Sequence, residues 1–423
     1  MNRTARDKTA NRPKAVQKIE LSGEHLNLRL VLSLAALCVA VLAIANVAVS
    51  LFSVKPGWRV IEPQSGDVVN CAGDFVFRYW LGEDESLSPA AENKKVTLLY
   101  REATENAYEL FNAEETFEGV VNPAYLSAHP NETVTVDPAL YEAFALMEKY
   151  GCRQLYLAPI YRTYNTLFFC GDESETVNYD PYRNPEVADD FRTTCGYVND
   201  PAMIRLELLG NSQVRLAVSP EYADYVKENG FTAILDFYWL RNAFVIDYLA
   251  SFMQEHGMAH GLLSSYDGFT RCLWDRESGY TANLTDCRAG ELYLAGKLDL
   301  QGAVSMVLLR DHRLDGDHEY TYYPMSDGTW RTAHIDPADG LCRSAVSLLV
   351  CYGQEKSCAE MLLQLLPYYI ADEWDADGAV SAIEAGTELL WCRDLTVWHT
   401  EPKLTLRELY ETDALRYQEK VYP

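Results

Sequence analysis

Residues 30–54 are twenty-five consecutive residues without a charge, and no other feature limits the architecture of the chain as strongly. About 20 apolar residues carry a helix across the hydrocarbon core of a bilayer. Ahead of the run stand Arg3, Arg6, Lys8, Arg12, Lys14, Lys18 and Arg29 against Asp7, Glu20 and Glu24. Basic flanks stay on the cytoplasmic side. The sequence therefore predicts a single-pass anchor in the cell membrane, with a cytoplasmic N-terminus and an extracytoplasmic main domain. A cleaved signal peptide is the rival reading. Signal apolar regions run about 7–15 residues, shorter than this one, although Ala45, Asn46, Val47 and Ala48 are small enough for cleavage. The expected division is a basic tail over 1–29, an anchor over 30–54, an approach segment over 55–94 and the main domain over 95–423.

Beyond the anchor, 29 basic residues face 59 acidic ones, a net of −30 within a chain total of −26. That balance repels nucleic acid and anionic lipid surfaces, so no nucleic acid is expected as a partner. Ten of the eleven cysteines follow the anchor. Outside the cytoplasm they are free to pair, with Cys170/Cys195 and Cys272/Cys287 the sequence-local candidates, or to remain buried thiols. No Cys-x-x-Cys occurs, which removes thioredoxin-type redox chemistry and the usual zinc spacing.

Periodicity places helices at 107–111, 139–149 and 242–256, the last stopped by Gly257. Strands are expected at 213–219, 232–236, 262–265 and 302–309, and Pro367 is expected to interrupt a helix over 359–369. Residues 83–93 are acidic and small, as in a solvated loop. Helices and strands in this mixed order predict an α+β fold with largely antiparallel strands. Two acidic stretches invite metal readings. Glu373, Asp375, Asp377, Gly378 and Glu384 fall at calcium-loop spacing, with a solvated turn as the alternative. Asp311, His312, Asp315, Asp317, His318 and Glu319 suit an exposed hairpin, because neighbouring strand residues point to opposite faces.

Four blocks in order carry a family resemblance. Thr116-Phe117-Glu118-Gly119-Val120-Val121-Asn122 resembles a Ser-x-x-Ser-x-x-Asn segment. The run from Leu235-Asp236 through Tyr238-Trp239 and Asn242-Ala243 to Asp247 is similar to a Leu-Asp strand end, a Gly-Gly turn and a Lys-Gly-Tyr-Ala-x-Asp helix start. Its following strand closes on Tyr266-Asp267-Gly268. His334-Ile335-Asp336-Pro337-Ala338-Asp339-Gly340 resembles a His-x-x-Asp-Pro-x-Thr-Gly turn. Ala359-Glu360 and Gln364 stand where an Ala-Asp-Ala-x-x-Thr helix would. Together these blocks resemble the bacterial FAD:protein FMN transferases of the ApbE type, over roughly residues 95–390.

The resemblance implies an ApbE-like fold and an enzyme that moves FMN from FAD onto a hydroxyl of a flavin-acceptor partner with the help of magnesium. It implies cofactor contacts at Asp236, Asn242, Asp267 and Thr116, chemistry at His334 and Asp336, and metal ligands at Glu360 and Gln364. The last two share a helix face four residues apart. The chain departs from the pattern where phosphate must be held. Tyr238-Trp239 replace a Gly-Gly turn that lets backbone approach phosphate. Asn242 replaces a Lys, Tyr266-Asp267 replace a second Gly-Gly, and Ala333 falls where the family has its His. The expectation is a membrane-anchored ApbE-like protein with a degraded flavin and metal site. The alternative is a non-catalytic binding or scaffolding domain that keeps the fold, with a membrane protein as partner.

Overall fold

A computed structural model describes residues 26–52, 54–63, 69–83, 86–274, 279–314, 316–413 and 415–423. The basic tail up to residue 25 and Asp315 of the predicted hairpin lie outside the described residues. The chain divides into two units, Met1–Val54 and Lys55–Pro423.

The first unit holds one helix, α1 (Leu26–Phe52), which spans the uncharged run. Its side chains are described no further than Leu42. Among the described residues no helix is long and apolar enough to cross a membrane, so the anchor still rests on the sequence argument.

The second unit is built on a nine-stranded sheet whose strands lie side by side in chain order. They are β1 (Gly57–Val60), β2 (Phe75–Leu81), β3 (Gly261–Ser265), β4 (Phe269–Cys272), β5 (Val304–Arg310), β6 (Leu348–Gln354), β7 (Thr387–Arg393), β8 (Thr396–His399) and β9 (Gln418–Val421). Every pairing is antiparallel except β8 with β9. The α+β, largely antiparallel expectation therefore holds. Residues 55–94 are not an approach segment, because they supply two strands of the main sheet. The helix α2 (Pro89–Leu110) also starts inside that stretch, with Ser88 capping it and Pro89 in its first turn. Glu92, expected in a solvated loop, is fully buried. It accepts from the Gly82 amide at 2.6 Å and from the Tyr79 hydroxyl at 3.2 Å.

Layers form on both faces of the sheet. Val304, Met306 and Leu308 of β5 and Leu348, Val350 and Tyr352 of β6 pack under the hairpin Tyr280–Arg288/Glu291–Leu300 and Leu406 and Tyr417. Strand period then turns Val307 and Leu309 toward the opposite face. That face meets α4 (Arg241–Glu255) and α5 (Cys358–Tyr369), with α2 beside α4 and α3 (Pro138–Lys149) beside α5. Every residue of β5 is consequently buried. A smaller sheet of Thr133–Thr135, Gln213–Val218 and Ile204–Gly210 packs beside α3 through its Ile204–Gly210 strand.

Helices near 139–149 and 242–256 and strands near 213–219, 262–265 and 302–309 stand where periodicity put them. Residues 232–236 are not a strand. Their amides find no neighbouring strand: Ile234 and Leu235 donate to the Ser127 hydroxyl at 3.2 Å each, and Asp236 donates to the Leu155 carbonyl at 2.9 Å. Pro367 does not interrupt its helix, because it falls in the last turn of α5 and removes few bonds. The segment after Arg310 is no exposed hairpin. His312 is fully buried between Thr285 at 2.9 Å and Asp311 at 2.8 Å. The calcium-spaced stretch is a helix start, where Asp375 caps Ala376–Ala382 by accepting from Gly378 and Asp377 accepts from Tyr422. All eleven cysteines are free thiols, so neither sequence-local pair is bridged.

Candidate functional site

The residue before β2, the end of α2, the β3–β4 turn, the start of α4 and the stretch after β5 enclose a cavity of about 360 Å³. Its walls include Asp74, Tyr108, Asn112, Glu114, Asp236, Tyr238, Trp239, Arg241, Asn242, Tyr266, Asp267, Glu319, Tyr322 and His334. Pockets of about 300–1,000 Å³ are the usual size for small-molecule sites.

Tyr238 sets one wall. Its φ is +46°, a left-handed backbone that glycine adopts freely and other residues adopt at a cost of about 1–2 kcal/mol. In the family pattern that the sequence resembles a Gly-Gly turn stands at this point, and the backbone here is glycine-like around a tyrosine. Three contacts hold it there. The Tyr238 amide donates to Asp236 Oδ1 at 2.7 Å, its hydroxyl donates to Asn165 Oδ1 at 2.9 Å, and its ring stacks on Tyr161 with centroids 4.3 Å apart. Trp239 follows, buried and edge-on to His334 at 4.7 Å.

The opposite wall is the β3–β4 turn. Gly268 has φ +111°, and a Cβ there would lie 2.1 Å from the Leu308 carbonyl oxygen. Only glycine fits, so the turn presses against β5 and pushes Asp267 inward. Asn242 Nδ2 donates to Asp267 Oδ2 at 2.9 Å, tying the first turn of α4 to this wall. Burial pushes the Asp267 carboxyl up to about 6, with Ser265 and Asn242 acting the other way. Burial likewise raises Asp236 to about 6, opposed by the Tyr238 amide. His334 sits among Trp239, Tyr322 and Tyr369. Burial, reinforced by Arg310, drives its pKa down to about 3. It stays neutral at physiological pH and is a weak base.

Of the residues singled out in the sequence, Asp236, Asn242, Asp267 and His334 line this one cavity. Thr116 does not; it is exposed in the turn beyond Glu114. Asp336 lies in a separate hollow with Tyr150, Gln154 and Leu363. There it accepts from Arg343, which also reaches Asp339 at 2.7 Å, and its backbone closes a turn through Gly340. Gly340 has φ +80°, and a Cβ would meet Phe191 at 2.7 Å. The Asp-Pro-x-x-Gly signature therefore shapes a turn. Glu360 is held by Lys149 Nζ at 2.6 Å and Tyr150 Oη at 2.9 Å, and Gln364 Nε2 donates to the same tyrosine oxygen at 3.1 Å. Neither lines the cavity.

Sequence reasoning missed several wall residues. Arg241 pairs with Asp74 at 2.8 Å; its place beside Asn242 at a helix start was the available signal. Glu319 pairs with Arg310 at 2.6 Å, with side-chain exposures of 2% and 4%, and accepts from the Leu314 amide. Tyr266 stacks on His318 at 3.8 Å.

A flavin transferase must hold a pyrophosphate and a hard cation. The cavity walls present five carboxylates, Asp74, Glu114, Asp236, Asp267 and Glu319, and one guanidinium, Arg241, already paired. Asp74 and Glu319 are balanced by Arg241 and Arg310, and the remaining Glu114, Asp236 and Asp267 oppose a phosphate chain. At the family's metal position, a cation would have to displace Lys149 from Glu360. Among the described residues no group of three or more His, Cys, Asp or Glu is arranged to hold a metal ion. The donor set fits neither FAD's pyrophosphate nor magnesium.

The fold belongs to a defined class, the α+β architecture of the ApbE flavin transferases. The ApbE protein of Thermotoga maritima matches with a TM-score of 0.53 at 13% identity, over 76% of this chain and 92% of that one. The flavin transferase ApbE of Vibrio cholerae matches with a TM-score of 0.52 at 12% identity, over 80% and 95%. No family model matches the sequence, and no curated protein matches it. The chain has the flavin-transferase fold in a sequence that has drifted far from both structures.

Proposed function

We propose that this protein is a membrane-anchored, extracytoplasmic ApbE-like domain whose flavin and metal site is degraded, and that it acts by binding. One observation carries the reading. Tyr238 and Trp239 fill the turn that resembles a phosphate-binding Gly-Gly, and the cavity beside them is lined by carboxylates. The charge pattern around residues 30–54 supports the anchor and its orientation. Under this reading the partner is a membrane protein or a ligand that tolerates an acidic, aromatic pocket.

A second reading, an FAD:protein FMN transferase using FAD and magnesium on a flavin-acceptor protein, draws support from the fold and from the gathering of Asp236, Asn242 and Asp267 at one cavity. Incubating the full-length protein with FAD, magnesium and a flavin-acceptor protein separates the two. The binding reading predicts no covalent flavin fluorescence on the acceptor after denaturing electrophoresis. A fluorescent acceptor band would establish transferase activity.

A further inference from the structure

The outer face of the sheet at its β1 edge is aromatic. Antiparallel register sets Trp58 opposite Trp80 and Val60 opposite Arg78, so these four side chains share one face. Trp58 packs edge-on against Trp80 at 5.7 Å and against Trp274 at 5.6 Å, and Trp80 lies 5.7 Å from Trp274. Trp58 remains 40% exposed and Val60 55%. The hairpin that covers this face of the sheet packs on β5 and β6, in the middle of the strand order, with β3 and β4 between it and β2.

Two further facts say what this surface meets. Trp58 follows Val54, the last residue of the uncharged run, by four positions. That contour is at most about 14 Å at ~3.6 Å per residue. The headgroup zone on each side of a bilayer accounts for roughly 5–8 Å of its thickness. In addition, β1 and β2 contain Arg59 and Arg78 and no acid, within a domain of net charge −30 drawn from 29 basic and 59 acidic residues. Neither strand carries an acid, and on the face of Trp58 and Trp80 their one charged side chain is Arg78, whereas the domain as a whole is acidic. Tryptophan is the residue that settles at the boundary between lipid tails and water, because its ring is apolar and its N–H is polar.

We infer that Trp58, Trp80, Val60 and Arg78 form a surface that lies against the lipid headgroups, fixing the orientation of the domain on the bilayer. This rests on the anchor reading. A freely swinging tether would let the cavity face any direction; a docked edge presents it at one fixed height and angle to a partner in the same membrane.

Tryptophan emission tests this directly, since residues 30–54 contain no Trp. Full-length protein is reconstituted into phosphatidylcholine vesicles whose acyl chains carry bromine either close to the headgroup or near the tail end. Flotation of the same samples reports whether the chain is anchored. The expected result is flotation together with quenching that is stronger for the shallow bromine. The W58F/W80F double variant should lose most of that quenching, and W330F should keep it. Circular dichroism verifies that each variant is folded. Flotation without quenching would overturn the docking surface and leave the anchor standing. Failure to float would overturn both. Quenching unchanged in W58F/W80F would also refute the assignment.

Discussion

Tyr238 shows at the scale of one residue how a bulky side chain is held on a glycine-like backbone. Its backbone stays in the left-handed well at φ +46°, and the cost is offset by the Asp236 and Asn165 hydrogen bonds and the Tyr161 stack. Removing the hydroxyl in Y238F should destabilise the domain by about 1 kcal/mol, the worth of one hydrogen bond, measurable by denaturant unfolding. Asp236, Asp267 and His334 make the cavity sensitive to pH in opposing ways. Both carboxyls titrate near 6, above their unfolded range. The stability they lend is full below the unfolded carboxyl pKa and lost as pH rises to about 6. His334 is depressed to about 3, so its contribution is present above the unfolded histidine pKa and falls away under acid. Asp267→Asn should accordingly raise the melting temperature at pH 7, equivalent to about 1–3 kcal/mol, with the gain vanishing near pH 4. A fixed difference across that range would contradict the assigned burial effect. At this scale Asp236, Asn242, Asp267 and His334, each inside a recognisable sequence block, come together at one cavity. Asp336, Glu360 and Gln364 stand away from that cavity, and the sequence did not show this because the Lys149 and Tyr150 contacts come from distant parts of the chain.

Between elements, Asp247 is the main tie. It lies in α4 but accepts from the Cys358 amide at 3.1 Å, the Ala359 amide at 2.9 Å and the Ser357 hydroxyl at 2.7 Å, while Arg271 of β4 braces it. One carboxylate thus satisfies the free amides at the start of α5 from a neighbouring helix. Asp247→Ala should cost about 3 kcal/mol or more, because several charge-assisted bonds are lost and Arg271 is left half-buried without a partner. Asp247→Asn should cost less; equal effects would show that charge is irrelevant to the tie. Elements with a strong period, such as α3 and α4, were legible in the sequence. Residues 232–236 were not, because an apolar run reads alike whether its amides go to a strand or to the Ser127 hydroxyl. Also hidden were β2, whose pairing with β3 spans a long separation in sequence, and β1, which pairs with β2.

At the scale of the molecule, the boundary between the two units falls at Val54 and Lys55, the expected end of the anchor, and the second unit takes in residues 55–94. Removing residues 1–54 should leave a domain with an unchanged melting temperature. Removing residues 1–94 takes away β1, β2 and the buried Glu92, and should leave a chain without cooperative unfolding. Fold class was readable in the sequence because block order and element order agree; the site's chemistry was not, because it depends on which charges meet in space. The account stands on the claim that a flavin-transferase frame surrounds a cavity unfit for pyrophosphate. FAD titrated against the full-length protein with magnesium present, followed by flavin fluorescence, tests it most directly. The account predicts no saturable change up to millimolar protein. A saturable change at micromolar protein, abolished by Asp267→Arg, would place FAD in that cavity and contradict it.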